Sequence, residues 1–214
     1  MGCAYLIDPA RRVLLGTLAA AMGIGVATIA ATAADRSSRE LLVAHEAIRN
    51  ERIDTSERGQ VQLLFADQSS LSIAPGSDVV INEFLYDPQT QTGNLTATVT
   101  IGLLRYVGGE ISRKQDVAFY TPGAVVSVRG GIILIRVERG AGGEGGAGKT
   151  EVLFLSGERM CLTAGGQSQC TTQFATAITS TKGETPSAPL PVTAETIQAL
   201  FSNLQPVDGA HKPQ

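Results

Sequence analysis

The stretch from Tyr120 to Val137, YTPGAVVSVRGGIILIRV, limits what this chain can fold into more than any other. It sets two β-branched, apolar runs on either side of one Arg-Gly-Gly. Val125, Val126 and Val128 have the stiff χ1 that suits a pleated surface, and Ile132 to Ile135 is a short unbroken apolar run of the kind buried on both faces. Pro122 and Gly123 open the segment as a turn, while Gly130 and Gly131 allow a sharp bend, a bulge or a close approach of two strands. Arg129 is the single charge between the runs, and a carboxylate or backbone carbonyls at the bend are expected to hold it. Gly130 is expected to be the position that least tolerates a side chain.

Strands surround this segment on both sides. Val61 to Phe65 runs into Asp67-Gln68-Ser69, and Leu71 to Ile73 into Pro75-Gly76-Ser77. Val79 to Tyr86 is followed by a loop, DPQTQTGN, and then by LTATVTIGLLRYVGG with near-alternating Leu95, Ala97, Val99 and Ile101. Farther on, GAGGEGGAG (Gly140 to Gly148) is a flexible connection, EVLFLSGERMCL gives two strands about the turn Ser156-Gly157-Glu158, and SQCTTQF gives another. Turn clusters at this spacing predict an all-β domain over 59–181, with many short antiparallel strands in a sandwich, a roll or a β-solenoid. No helix is indicated inside it. The 24 glycines and the absence of tryptophan fit that class, and 43% hydrophobic content is enough for a real core.

At the N-terminus, Arg11 and Arg12 precede an uncharged run from Val13 to Ala34 that ends in small residues. Residues 1–34 therefore read as an export signal with a cleavage site such as Ala31-Thr32-Ala33, or as a retained membrane anchor through 13–34. A buried core helix is the remaining alternative. The arginine pair also has a faint twin-arginine look, although such pairs are ordinary in signal n-regions. Export or anchoring puts residue 35 onward outside the cytoplasm. Residues 35–58 form a charged lead-in segment.

At the other end, the prolines of 182–192 predict an extended linker. Thr193 then caps an amphipathic helix over 193–205, with Ile197, Leu200, Phe201 and Leu204 on one face. A helix docked on the domain and a partner-binding helix on a tether both fit, and 206–214 reads as a disordered tail.

Gly143 to Thr150, GEGGAGKT, matches the phosphate-loop pattern residue for residue. That chemistry needs a helix beginning at Lys149-Thr150, so that backbone N–H groups face the phosphates. The residues that follow, EVLFLSG, read as a strand ended by a turn, so no nucleotide is expected and Lys149 is read as a charge at a strand edge. Cys161 and Cys170 bracket a hairpin turned at Gly165-Gly166. Counting outward from the turn sets Cys161 opposite Cys170 in a non-hydrogen-bonded pair, where Cα atoms lie about 4.5 Å apart, so a disulfide is expected in an oxidising compartment. Its short loop pins the hairpin's register. His45 and His211 sit in the lead-in and the tail, Ser127 lacks the flanks of a nucleophile elbow, and Asp67, Asp78, Glu83 and Asp87 are read as surface acids. No catalytic residue, metal site or cofactor is therefore assigned. A net charge of −3 without basic blocks gives no pull toward nucleic acid.

The blocks LLFADQSSLSIAPGSDVVINEFLYDP, GLLRYVGG, YTPGAVVSVRGG and EVLFLSGE, over roughly Gly59 to Thr172, resemble the FecR-domain family. The most specific part is Thr121, Pro122, an apolar run, then Arg129, Gly130 and Gly131, similar to the family's signature. The resemblance implies an extracytoplasmic β-rich module, whose best-known relatives relay an iron-uptake signal from an outer-membrane transporter to a cytoplasmic sigma factor. Only a dozen residues precede the apolar run here, so a cytoplasmic sigma-binding domain is not expected. The chain is similar to those members that consist of a signal sequence and the domain alone. The function that the resemblance implies is a non-enzymatic periplasmic protein-binding, sensing or signalling module of the bacterial cell envelope, exported or anchored in the inner membrane, with a protein partner in the periplasm or envelope. An envelope or carbohydrate-binding scaffold is the alternative, weakened by 5% aromatic content.

Overall fold

The structure, a computed structural model, describes residues 50–140 and 148–204 throughout, together with the backbone of three earlier strands. The apolar run 13–34 outside Ile29–Thr32, most of the lead-in, both histidines and the tail lie outside the described residues.

The domain is all-β: one continuous, curled sheet of 16 strands whose two halves share a single long strand. That strand, β8 (Thr92–Val107), spans 16 residues. Its first half pairs with β7 (Asp78–Asp87) and β9 (Val117–Tyr120), and its second half with β6 (Ser70–Ile73) and β11 (Ile132–Val137). One half-sheet, called A here, continues from β6 to β5 (Val61–Phe65) and, on the other side, from β11 to β12 (Lys149–Ser156), β15 (Thr176–Thr181) and β16 (Leu190–Pro191). The other, B, runs from β7 to β4 (Arg52–Thr55), and from β9 to β10 (Val125–Arg129), β13 (Arg159–Ala164) and β14 (Gln167–Thr171). The backbone of β1 (Cys3–Ile7) lies parallel beside β5, and that of β2 (Ile29–Thr32) between β4 and β3 (Ser38–Glu40).

Alternation in sequence sets which side chains meet between the half-sheets. Leu95, Ala97 and Val99 of β8 are fully buried, as are Val126 of β10 and Ile133 and Ile135 of β11, and they join one core. Tyr106 and Phe119 meet edge to face at its centre, with ring centroids 5.1 Å apart. On the outer face of A, Leu103, Leu134, Leu153, Leu155 and Ala177 form a second apolar cluster. It is covered by α2 (Ala194–Ser202), which brings Leu200 and Leu204 onto it, with Ile197 and Phe201 packed alongside. Thr193 caps α2 by accepting the Thr196 N–H. The helix is therefore docked rather than carried free on a tether.

Several sequence expectations change. The strands are not all short, because β7 and β8 extend through DPQTQTGN and leave only 88–91 as their turn. The pairing is not purely antiparallel, since β8 and β9 run parallel over Thr96–Thr98 and Ala118–Tyr120. The connection that a parallel pair requires holds the helix that the sequence reading left out, α1 (Glu110–Lys114). Five residues are too few for a helical period to show, although Glu110 in the first turn and Arg113 and Lys114 in the last complement the helix dipole. EVLFLSGERMCL does give two strands about Ser156-Gly157-Glu158, β12 and β13, which do not pair with each other: the first belongs to A and the second to B.

Candidate functional site

The residues that carry the resemblance gather at the two ends of β10, where the half-sheets are fastened together. At its start, Thr121 closes the turn into β10: its N–H donates to the Ala124 carbonyl at 2.9 Å, and its Oγ1 accepts the Ala124 N–H at 3.1 Å. Pro122 at the second turn position presets the φ this tight return needs. The same Oγ1 lies 2.9 Å from Oγ1 of Thr150 in β12, a hydroxyl link from B to A.

At the far end, Gly130 and Gly131 carry the chain across from β10 in B to β11 in A, at φ of +61° and +88°. The crossing of β12 into β13 at Gly157 lies directly against it. A Cβ on Gly131 would stand 1.8 Å from the Ser156 carbonyl oxygen, whereas one on Gly130 would meet nothing closer than 3.9 Å. Gly131, not Gly130, is thus the position that cannot accept a side chain, because only Gly131 faces the neighbouring crossing. Gly130 needs glycine for its backbone angle alone. Arg129 is held by a carboxylate, Asp116, with Nε 3.0 Å from Oδ1, and Arg159 of β13 grips the same group at 2.8 Å. This trio is partly solvent-exposed, so it steadies the corner only modestly.

Beneath the corner lies a buried polar knot. Asp67, at the turn between β5 and β6, is fully buried, which overturns its reading as a surface acid. Its Oδ1 accepts from the Ser69 N–H at 3.0 Å and from the Ser69 hydroxyl at 2.5 Å, and its backbone carbonyl accepts the Glu110 N–H at 2.8 Å. Oδ2 accepts the Ile111 N–H at 3.3 Å, so the carboxylate caps α1 from a distant turn. Ser112 of α1 in turn accepts the Gly130 N–H on its carbonyl, and Gly131 accepts the Gly108 N–H, each at 2.7 Å. The Tyr106 hydroxyl sits beside Ser112 and Ser69 without reaching hydrogen-bond geometry, and burial pushes its ionisation well above the usual tyrosine range. The blocks ADQSS, RYVGG and VRGG therefore meet around one short helix.

The other singled-out residues are spread widely. Asp78 is also buried rather than exposed, bound by Arg52 at 2.6 and 2.9 Å. Glu83 accepts from the Asn94 amide, and exposed Asp87 is held below the usual carboxylate range by the Gln89 N–H and the Thr90 hydroxyl. Ser127 is half-buried on the outer face of B, level with Ala118 and Cys161. Residues 143–147 of the phosphate-loop match lie outside the described residues, but Lys149 and Thr150 open strand β12 and supply no helix N-terminus. Since β12 lies between β11 and β15, Lys149 is not at a sheet edge, and it faces Glu151 at 3.8 Å. Cys161 and Cys170 form a disulfide, with Cα atoms 4.0 Å apart, in the register set by the Gly165-Gly166 turn. Both turn glycines have positive φ, as a type I′ turn demands.

Among the described residues no three metal-ligating side chains come together, and no helix is long and apolar enough to cross a membrane. Sequence reading missed Asp116, Arg159 and Ser112. Only the Asp-x-Ser of ADQSS, a common pattern for a carboxylate bonding its own turn, carried a local signal.

No family model and no curated protein matches this chain. Solved structures do match in fold. A crystal structure of a candidate anti-sigma factor from Parabacteroides distasonis at 2.50 Å superimposes with a TM-score of 0.52 and 12% identity, over 70% of this chain and 63% of that one. A second, at 1.65 Å from the same organism and similarly described, gives 0.50 and 10%, over 70% and 64%. The chain spans less than two thirds of the length of either, and at such identity the likeness shows the fold alone.

Proposed function

We propose that this chain is a FecR-like, extracytoplasmic signalling or regulatory module of the bacterial cell envelope that works by contact with another protein and not by catalysis. One observation carries the reading: the most specific residues of the FecR-like blocks stand where the two half-sheets are fastened, in a fold shared with candidate anti-sigma factors. Thr121, Gly131 and Asp67 hold backbone, Arg129 binds the Asp116 carboxylate, and none of the four lines the cleft bounded by Glu57, Leu103, Arg136 and Asn203. Sequence that only maintains a scaffold leaves function to the surface.

The export reading of residues 1–34 belongs to the same proposal. β1 lies beside β5 and β2 joins β3 to β4, so cleavage near residue 34 would remove β1 and β2 and release β3, while the pairing of β4 to β16 among themselves is left uncut. Alkaline phosphatase fused after the last residue should be active, and N-terminal sequencing of the mature chain then distinguishes cleavage from anchoring. In-cell crosslinking of the tagged chain should recover a defined protein partner. An inactive fusion, or recovery of the chain alone under several growth conditions, counts against the proposal.

A further inference from the structure

Among the described residues the strand order of B ends at β14, and this edge lacks the devices that usually keep sheet edges from pairing. Met160 to Thr181 contains no charged residue, and β14 itself has neither proline nor bulge. The corresponding end of A contrasts with it: β16 is two residues long and includes Pro191. The β14 edge is also stiff. The disulfide ties it to β13, the Thr171 and Thr176 hydroxyls lie 2.9 Å apart at its end, and Gly165 at the hairpin tip packs against the backbone of Gly183 to Thr185.

The register shows which backbone groups are free. Cα atoms 4.0 Å apart mark Cys161 and Cys170 as a non-hydrogen-bonded pair, so the N–H and C=O of Cys170, and of Ser168 two residues earlier, point away from β13. Ser168 and Cys170 stand symmetrically about Gln169. An antiparallel copy of the strand would place Ser168 opposite the second copy's Cys170 and the reverse, each pair exchanging two backbone hydrogen bonds, with Gln169 facing Gln169 at the dyad. In such a pairing a charge at the dyad meets its own copy and charges beside it lie close to theirs, and this uncharged edge brings no like charges together.

We propose that two copies of this chain associate along β14, as an antiparallel strand pair about a two-fold axis at Gln169. The association is a property of the chain itself and stands independently of any envelope partner.

Sedimentation velocity of the purified full chain over a concentration series tests it, beside Ser168→Lys and, as a control on the exposed β7–β8 turn, Gln89→Lys. Ser168 is exposed and its N–H is not used by β13, so the substitution leaves the fold and the disulfide intact, as a thermal melt would verify. The wild type and Gln89→Lys should approach twice the monomer mass, with Ser168→Lys, a lysine set on the pairing edge opposite Cys170 of the second copy, associating at least about tenfold more weakly. In hydrogen exchange, the Ser168 and Cys170 amides should become protected as concentration rises, while that of Gln169 is protected throughout. A monomer mass up to about 1 mM overturns the proposal. So does association that Ser168→Lys leaves unchanged, which would place the contact elsewhere, for instance in residues 13–34.

Discussion

The two half-sheets share one core yet present opposite outer faces. A shows Leu103, Leu134, Leu153 and Leu155 outward and covers them with α2, whereas B shows Thr96, Thr98, Ala118, Tyr120, Ser127, Thr163 and Ser168, which no described helix covers. Both patterns are written in the strands: IILI and VLFL are continuous apolar runs, while TATVT and VVSV alternate. A strand that is apolar on both sides demands a second layer, and the chain supplies one from its own C-terminus. An alternating strand makes no such demand, and among the described residues B carries no second layer.

The most severe test strikes the corner that keeps the faces distinct. Gly131→Ala should cost about 4 kcal/mol or more, because its Cβ meets the Ser156 carbonyl at 1.8 Å, while Gly130→Ala should cost about 1 kcal/mol for its positive φ alone. Equal denaturation midpoints for the two variants would show that the crossings do not touch. Next, Leu200→Ala on α2 should lose about 2–3 kcal/mol, and Thr163→Ala on the face of B less than about 0.5 kcal/mol. Urea melts giving similar losses would mean that something also covers B. Replacing Cys161 and Cys170 together by Ser should lower stability by about 2 kcal/mol, and a reducing agent should reproduce the loss in the wild type.

The smallest effect concerns charge on the face of B. Burial, and then the Asp78 carboxylate, raise the Asp54 pKa against the lowering influence of Arg52. A raised carboxyl pKa means that the folded state holds this charge less readily than the unfolded one, so Asp54→Asn should raise the melting midpoint slightly at neutral pH. That gain should vanish as pH falls through the raised folded pKa, where the wild type takes up the proton. A gain unchanged at low pH would assign the effect to packing. Asp54 is partly exposed, so the shift should be small.

Much of the candidate site was visible in one dimension. Thr121-Pro122 announced a turn, Arg129-Gly130-Gly131 a bend, and Gly165-Gly166 dictated the register that sets Cys161 against Cys170. These are local properties of turn chemistry and period-two alternation, and they act over a few residues. The buried Asp67 was not visible, because its partner Ile111 lies 44 residues away on a helix too short to show a period. Gly130 and Gly131 could not be told apart either, since what separates them is Ser156 on another crossing.

The sequence by itself therefore determined the strand-rich class, the alternation that chooses inward side chains, the C-terminal helix with its Thr193 cap, and the hairpin that holds the disulfide. Only the tertiary structure decided that β8 serves both half-sheets, that β12 and β13 part company at Gly157, that α2 seals A, and that β14 ends the strand order of B among the described residues. The physical reason is range: propensity and alternation are settled among near neighbours, but burial of a carboxylate, contact of two glycine crossings and exposure of an edge depend on chain segments that meet only after folding.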